Sequence, residues 1–496
     1  MTTPNSYQKN ICDVFLNTDS NLNISAVAGS GKTTVLITLL KYIPSDKHAL
    51  FVAFNNSIVD ELKSRIEHTN NVEISTIHSY GWRALLSRYG SKIKLNPNKV
   101  MGKLELVLKE YDAALKKRGY YFYIIPKIID LMRCNLCYPS KEDVLKMSLY
   151  YDLDIDEIEA EIALRVFEKM NRDKSQFDFT DMIYQPIVDP HVRMRKYDYV
   201  FCDESQDFSK AQQEIIRKSL NRRGRLITVG DENQAIYGFC GSDANSYEQL
   251  SKLNGDSLRM PLSVCYRCSK AVVKEAQKIV PEISYFPLAE EGSVKFGSLR
   301  EDLSQGDWIL CRNLKPLIQT YLWLMKNKIK SKIKGKDIGE GILGLINKTG
   351  ARTLSGMWKM LEIYKEKLYV KLQKRGVRKP SLHPKMELFE QRLEVIECLM
   401  NEVGTVDELK RLIDSIFTDE VKGIMLSTIH KSKGLENERI FLICPELLPS
   451  RYATTEWMLT QERNLLYVAI TRAKKELIYV SESDFKEDIK STSIKI

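Results

Sequence analysis

The sequence predicts an α/β protein made of two parallel-sheet domains, each interrupted by a helical insertion. Three observations carry that reading. Short apolar, β-rich runs alternate with helical patterns in both halves of the chain. A phosphate-loop pattern follows the first of these runs. At 496 residues the chain is also too long for a single hydrophobic core.

In the first half the runs are Asn23–Ala28, Ala49–Phe54, Val72–Thr76, Tyr197–Asp203 and Arg225–Asp231. A charged, helix-rich stretch from about Arg88 to Asp178 interrupts them. In the second half they are Asp307–Cys311, Gly423–Thr428, Arg439–Cys444 and Glu476–Val480, with a basic helical stretch from about Asp337 to Thr418 between them. The expected division is therefore 1–88 and 178–248 around an insertion at 89–177, then 249–337 and 419–496 around an insertion at 338–418.

Composition narrows the class. Hydrophobic residues make up 43% and charged residues 28%, as in ordinary globular proteins. No segment approaches the roughly twenty apolar residues of a membrane span. Met1 to Asn10 has neither the basic start nor the apolar stretch of a secretory signal. Ten cysteines in a chain of this size fit a reduced compartment, cytoplasmic or, in a eukaryotic host, nuclear. Two Cys-x-x-Cys pairs, Cys134/Cys137 and Cys265/Cys268, have zinc-site spacing but lie far apart in the chain. The net charge of +10 mildly favours a polyanionic partner. Basic residues concentrate in Lys116–Tyr123, Lys328–Lys336 and Lys371–Lys379; the first interleaves them with aromatics, in the manner of a single-strand-binding surface or of a solvated helix end.

The phosphate loop is Ala26-Val-Ala-Gly-Ser-Gly-Lys-Thr-Thr34. Gly29 and Gly31 free the backbone N–H groups of Ala28 to Thr34, Ser30 included, to turn onto phosphate oxygens at a helix N-terminus. Lys32 reaches the β and γ phosphates, and the Thr33 hydroxyl ligates Mg²⁺. A second acidic cluster completes such a site. Tyr197–Cys202 reads as a buried strand running into Asp203-Glu204-Ser205-Gln206-Asp207. Asp203 would hold the metal and Glu204 would take a proton from the attacking water. Gln234, in Val229-Gly-Asp-Glu-Asn-Gln-Ala-Ile-Tyr-Gly-Phe, follows a strand and is placed to sense the γ-phosphate. Tyr237 and Phe239 in that run are available for base stacking, core packing being their plainer alternative.

These segments, in this order, resemble the UvrD/Rep-type superfamily 1A DNA helicases. Further matches extend the resemblance from Gln8 to Ala473. It implies two RecA-like domains, ATP as fuel with Mg²⁺, single-stranded DNA and single-strand/duplex junctions as partners, and 3′→5′ movement. Gln8 stands where the family reads adenine. Phe54 and Asn55 in Val52-Ala-Phe-Asn-Asn56, and Thr76 and His78 in Ser75-Thr-Ile-His-Ser79, stand in DNA-contact motifs. Phe177-Asp-Phe-Thr-Asp181 resembles the return from the first insertion. Tyr266 and Arg267 in Cys265-Tyr-Arg-Cys268 match the pair that stacks on adenine and reaches the γ-phosphate. Thr428, His430 and Glu436 lie in Ser427-Thr-Ile-His-Lys-Ser-Lys-Gly-Leu-Glu436, a motif for DNA and nucleotide, with Glu436 toward the ribose. Arg472 in Thr471-Arg-Ala473 matches the second arginine finger. The nucleotide is then expected in the cleft between the domains, opening and closing with hydrolysis.

Two departures matter. The family's Trp-Arg after the Ile-Tyr-Gly is here Phe239-Cys240, and a thiol cannot replace a guanidinium's hydrogen bonds. Both insertions are shorter than in the large bacterial members, as in the compact branch that includes viral, phage-like and F-box helicases. The expected function is an ATP-dependent 3′→5′ DNA helicase of replication, repair or recombination, with protein partners from those processes. A translocase that strips proteins with little unwinding and a DNA-stimulated regulatory ATPase are the alternatives. No nuclease pattern follows Arg472.

Overall fold

The computed structural model describes residues 6–53, 56–65, 71–111, 118–151, 153, 155–236, 246–253, 255–374, 379–418 and 423–490. Phe54, Asn55, Tyr237, Phe239 and Cys240 lie outside the described residues. The chain divides into two compact units, Met1–Ser263 and Val264–Ile496.

In the first unit the strands are β1 (Asn21–Ala26), β2 (Ala49–Ala53), β3 (Val72–Thr76), β4 (Lys94–Leu95), β5 (Gln176–Phe177), β6 (Tyr197–Cys202), β7 (Leu220–Gly230) and β8 (Ser257–Leu262). Six of them form a parallel sheet in the order β3-β2-β6-β7-β1-β8. β2 shows why the sequence builds this layer. Leu50 and Val52 face one apolar cluster, while Ala49, Phe51 and Ala53 face another, so the strand is buried on both sides. The sequence assigned 249–262 to the second domain, but β8 pairs with β1 along its length, which carries the first unit to Ser263.

The first insertion has a core of its own. Helices Lys99–Leu108, Arg118–Cys134, Lys141–Tyr150 and Glu157–Arg172 pack around Leu104, Ile125, Ile128, Ile162 and Val166. A buried ionic cluster fastens them to the returning chain. Lys99 Nζ donates to Asp181 Oδ2 at 2.7 Å, and Arg133 Nη1 donates to Asp178 at 2.8 and 2.9 Å and to Asp181 Oδ1 at 3.1 Å. Lys99, Arg133 and Asp181 are all essentially inaccessible. Changing Asp181 to alanine would leave the buried Lys99 without a carboxylate, while Arg133 keeps Asp178 and Asp130, and a loss of about 3–5 kcal/mol is expected. Denaturant unfolding measures it; a loss below 1 kcal/mol would mean that the cluster is not a fastening.

In the second unit β9 (Val264–Cys265) and β10 (Ser284–Tyr285) pair with each other. β11 (Ser293–Phe296), β12 (Trp308–Cys311), β13 (Ser331–Lys334), β14 (Phe417–Thr418), β15 (Ile424–Thr428), β16 (Asn437–Ile443) and β17 (Ala473–Val480) form a parallel sheet in the order β11-β17-β16-β12-β15-β13-β14. Helices Lys336–Thr349, Leu354–Lys374, Pro384–Met400 and Val406–Ile416 make up the second insertion. Among the described residues, unlike the first, it shares its core with the sheet. Ile342, Met357, Ile396 and Ile413 share one cluster with Ile333 and Leu426 of the sheet. Among the described residues, no helix is long and apolar enough to cross a membrane.

Candidate nucleotide-binding site

Strands β1, β7 and β6 are neighbours, so three chemistry-bearing segments leave the same carboxyl edge of the first sheet, where parallel α/β folds hold their ligands. After β1, the chain turns through Gly29 (φ 66°) and Gly31 (φ 81°) into helix Lys32–Leu40. That left-handed backbone at both glycines is what aims the loop's N–H groups. A Cβ on Gly31 would stand 3.5 Å from Gln8 Nε2, so Gln8 lies beside the phosphate loop.

After β6 come the carboxylates. The Thr33 hydroxyl donates to Asp203 Oδ2 at 2.8 Å, and Lys32 Nζ lies 3.6 Å from Glu204 Oε2. Glu204 sits at φ 50°, a strained position for a residue with a side chain, and accepts from Gln206 Nε2 at 2.6 Å. Burial, then the neighbouring Glu204 charge, holds the Asp203 carboxyl above its usual range, against Thr33 and Lys32. After β7, Gly230 packs so closely that a Cβ there would come within 2.6 Å of Gln206 Oε1 and 2.7 Å of Ser205 Oγ. Asp231 follows, with its N–H on Gln206 Oε1 at 3.1 Å.

Asp231 is a site residue that the sequence reading missed. It is buried, and burial pushes its carboxyl up to about 6 although Lys32 pulls the other way. Gln234, expected to face a γ-phosphate, donates its amide to Asp231 Oδ2 at 2.8 Å. Its signal in the sequence is Gly230-Asp231 at a strand end.

A raised folded-state carboxyl favours the protonated form, so its ionisation lowers stability as pH climbs from about 4 to 6, and the full cost persists above. Asp231→Asn is therefore expected to stabilise the ligand-free protein by about 1–2 kcal/mol at pH 8, net of one forfeited hydrogen bond. Near pH 4 the change should become a small loss. Urea unfolding at the two pH values reads the difference; an unchanged gain at pH 4 would contradict it.

Thr33 and Asp203 are hard oxygen donors within hydrogen-bond reach of each other. The described residues hold no group of three or more His, Cys, Asp or Glu fit for a metal. That donor set suits Mg²⁺, which takes one or two protein oxygens and completes its shell with water and phosphate. The two Cys-x-x-Cys pairs fall in different units.

In the second unit, Tyr266 packs against Phe286 with ring centroids 4.9 Å apart. Arg267 pairs with Glu436 through Nε and donates from Nη1 to the Thr471 carbonyl at 3.4 Å. Lys474 Nζ lies 3.1 Å from the other oxygen of Glu436. Burial opposes the Glu436 charge, but these cations win and hold its carboxyl below the usual range. Arg472 is folded inward at 1% exposure. Its guanidinium donates to the carbonyls of Val468 at 3.0 Å and Leu435 at 2.8 Å, and to the Thr471 hydroxyl at 3.3 Å. The fold thus gathers Arg267, Glu436 and Arg472 around Thr471, with Arg267 the more accessible arginine.

The four described DNA-contact candidates share one local design. Ser-Thr-Ile-His occurs at 75–78 and again at 427–430, each time at the junction of a parallel strand and a helix. The Ser75 and Ser427 hydroxyls each donate to the following threonine's carbonyl, at 2.9 and 3.0 Å. Thr76 caps its helix by accepting from the Ser79 N–H at 3.1 Å, and Thr428 occupies the same cap position. Burial holds His78 below its usual pKa; burial, then Arg312 and Lys431, hold His430 at about 3, so both rings are neutral.

A second feature the sequence reading missed is an ionic group centred on Arg312. Arg312, just past β12, donates from Nε to both Glu462 oxygens at 3.0 Å and from Nη2 to Glu387 at 3.1 Å. Ser450 closes the group, donating its N–H to Glu462 at 3.0 Å and its hydroxyl to Glu387 at 2.9 Å. Glu387 belongs to the second insertion, and Glu462 to the helix Glu456–Ile470 that runs into Arg472.

Comparison with known proteins identifies the family. Residues 6–254 match the UvrD/REP helicase N-terminal domain, and residues 385–483 match the UvrD-like helicase C-terminal domain. F-box DNA helicase protein 1 of Schizosaccharomyces pombe is 26% identical over 95% of this chain and 57% of its own length. The ATP-dependent DNA helicase PcrA of Bacillus subtilis is 28% identical over 53% of this chain and 38% of its own. A probable DNA helicase II homolog of Mycoplasma capricolum is 23% identical over 93% of this chain and 82% of its own. The chain thus spans little more than half of the first of these relatives and less of the second. With both domain types matched in order and the phosphate loop and carboxylates assembled on one sheet edge, the chain belongs to the UvrD/Rep helicase family.

Proposed function

We propose that the protein is an ATP-dependent DNA helicase that moves 3′→5′ on single-stranded DNA and separates duplex at junctions, in replication, repair or recombination. The observation that carries this reading is the cluster of Lys32, Thr33, Asp203 and Glu204 at the edge of the first sheet. Lys32 neutralises the β and γ phosphates, while Thr33 and Asp203 would hold a Mg²⁺ that would offset their remaining charge. Glu204 takes a proton from the water that attacks the γ-phosphorus, and the bond to the β-phosphate oxygen breaks, leaving ADP. Arg267 acts on the charge that develops there, and Arg472 joins it by leaving its carbonyl partners. Gln8 and Tyr266 hold the base, and Glu436 the ribose. Thr76, His78, Thr428 and His430 offer neutral hydrogen-bonding groups to the DNA strand.

Unwinding of 3′-tailed and 5′-tailed duplexes with ATP tests the proposal. Separation of the 3′-tailed substrate alone is the expected result. Displacement of a bound protein without strand separation would replace helicase by translocase. ATP turnover that fails to rise with single-strand length would point to a regulatory ATPase.

A further inference from the structure

Helix Glu456–Ile470 runs into Thr471, and its end supports both arginines of the second unit. The Thr471 carbonyl accepts from Arg267 at 3.4 Å, while the Val468 carbonyl and the Thr471 hydroxyl accept from Arg472 at 3.0 and 3.3 Å. Where this helix sits therefore decides where both guanidinium groups start. In its middle, buried Glu462 is gripped by Arg312, from Nε at 3.0 Å to each oxygen and from Nη2 at 2.8 Å to Oε1. The same Nη2 reaches Glu387 Oε1 at 3.1 Å, on helix Pro384–Met400 of the second insertion. That oxygen also accepts from the Ser450 hydroxyl at 2.9 Å and from Gln391 Nε2 at 3.1 Å. The Ser450 N–H donates to Glu462 Oε2 at 3.0 Å, which closes a ring of Arg312, Glu462, Ser450 and Glu387. The side chains of Arg312, Glu387 and Glu462 are 11%, 13% and 9% exposed, so salt screens the ring weakly.

We propose that Glu387 is a positioning residue for ATP turnover: through Arg312 it holds helix Glu456–Ile470 where that helix presents Arg267 and Arg472 to the nucleotide. The holding of the helix stands on the ring alone, whereas its effect on turnover rests on the function proposed above. A packed helix shifts as a unit, by about 1–2 Å in known switching transitions, so a slip at Glu462 arrives at Thr471. The helix also packs against Ile429–Ser432, which carries His430, and against Lys270–Gln277, shortly after Arg267. The second insertion thereby gains a hold on the catalytic end of the unit without touching the nucleotide. A neighbouring contact supplies the comparison. Glu390, on the same insertion helix, accepts from the Tyr452 hydroxyl, from Arg451 Nη2 at 3.1 Å and from Lys365 Nζ at 2.8 Å, with no part in the ring.

Three variants of the full chain test the proposal: Glu387→Ala, Glu387→Gln and Glu390→Ala. Glu387→Ala leaves Arg312 paired with Glu462, so no buried cation is abandoned and the chain should fold. Its turnover per folded molecule, with single-stranded DNA at saturation, is expected to fall about tenfold or more while ATP affinity, titrated separately, holds. Amide hydrogen exchange across 456–472 should quicken in the same variant. Glu387→Gln should restore both readouts, because all three donors meet one oxygen that a glutamine keeps. Glu390→Ala should match the parent in turnover. A bond that served stability alone would lower the melting temperature of Glu387→Ala and leave turnover per folded molecule unchanged, and that result would overturn the proposal. An equal loss in Glu390→Ala would overturn it too, by assigning the effect to docking of the insertion as a whole. If the parent turns over no ATP, it is the proposed function that fails. Exchange then decides the ring: unchanged exchange in Glu387→Ala would show that Glu387 does not hold the helix.

Discussion

Lys32→Ala is expected to lower ATP turnover by on the order of 10³-fold, the loss that follows removal of a preorganised charge from a developing anion. Lys32 is 9% exposed and stands opposite Glu204 at 3.6 Å, with Asp203 and Asp231 both held above their usual carboxyl range nearby. It is the cation that opposes three acidic groups before any phosphate arrives. The alanine variant should therefore lose stability at pH 8 as well, and regain part of it as the pH falls toward 5 and those carboxyls protonate. Steady-state hydrolysis beside thermal unfolding at both pH values measures the pair of effects. Turnover within tenfold of the parent would remove Lys32 from the site.

Arg267→Ala should cut turnover by about 10³-fold or more while ATP affinity changes far less, the pattern of a group that acts mainly in the transition state. The site offers an internal contrast. Arg267 is partly exposed and leans on Glu436, which keeps Lys474 as a second partner, so its removal leaves no buried charge alone. Arg472 instead satisfies two carbonyls and a hydroxyl deep in the unit, and its replacement would mix catalytic loss with unfolding. Single-turnover hydrolysis with separately measured ATP binding distinguishes the outcomes for Arg267. Equal losses in both would assign it to ground-state binding.

Much of this was legible in the sequence because the decisive signals are local. A glycine-framed loop after a buried strand, or a strand ending in Asp-Glu, needs only its own neighbours to be understood. β2, β3 and β6 fell close to their expected bounds for the same reason. The sequence hid what depends on partners distant in the chain. β8 reads as part of the second domain until its pairing with β1 is seen, which sets Asn21 beside Ser257. Asp231 stood in the sequence only as the last residue of the run Arg225–Asp231, and its burial and its bonds to Gln206 and Gln234 show only in the fold. The Arg312, Glu387 and Glu462 group joins three segments with no shared motif. Arg472 carries the right neighbours in sequence, yet its guanidinium direction is set by the carbonyls of Leu435 and Val468.

The two insertions set different limits on how short such a chain can become. The first carries its own apolar centre and meets the sheet domain through β4, β5 and a compact ionic joint, so it is a module that a recombination event can enlarge, exchange or pare down. The second lends Ile342, Ile346, Met357 and Leu361 to the lining of the second sheet, and its ends are stitched together by the pairing of β13 with β14. Excising 336–416 would uncover Ile333, Phe417 and Leu426. Compactness in this half of the protein has thus reached its floor: further shortening would remove the roof of the domain along with the ornament.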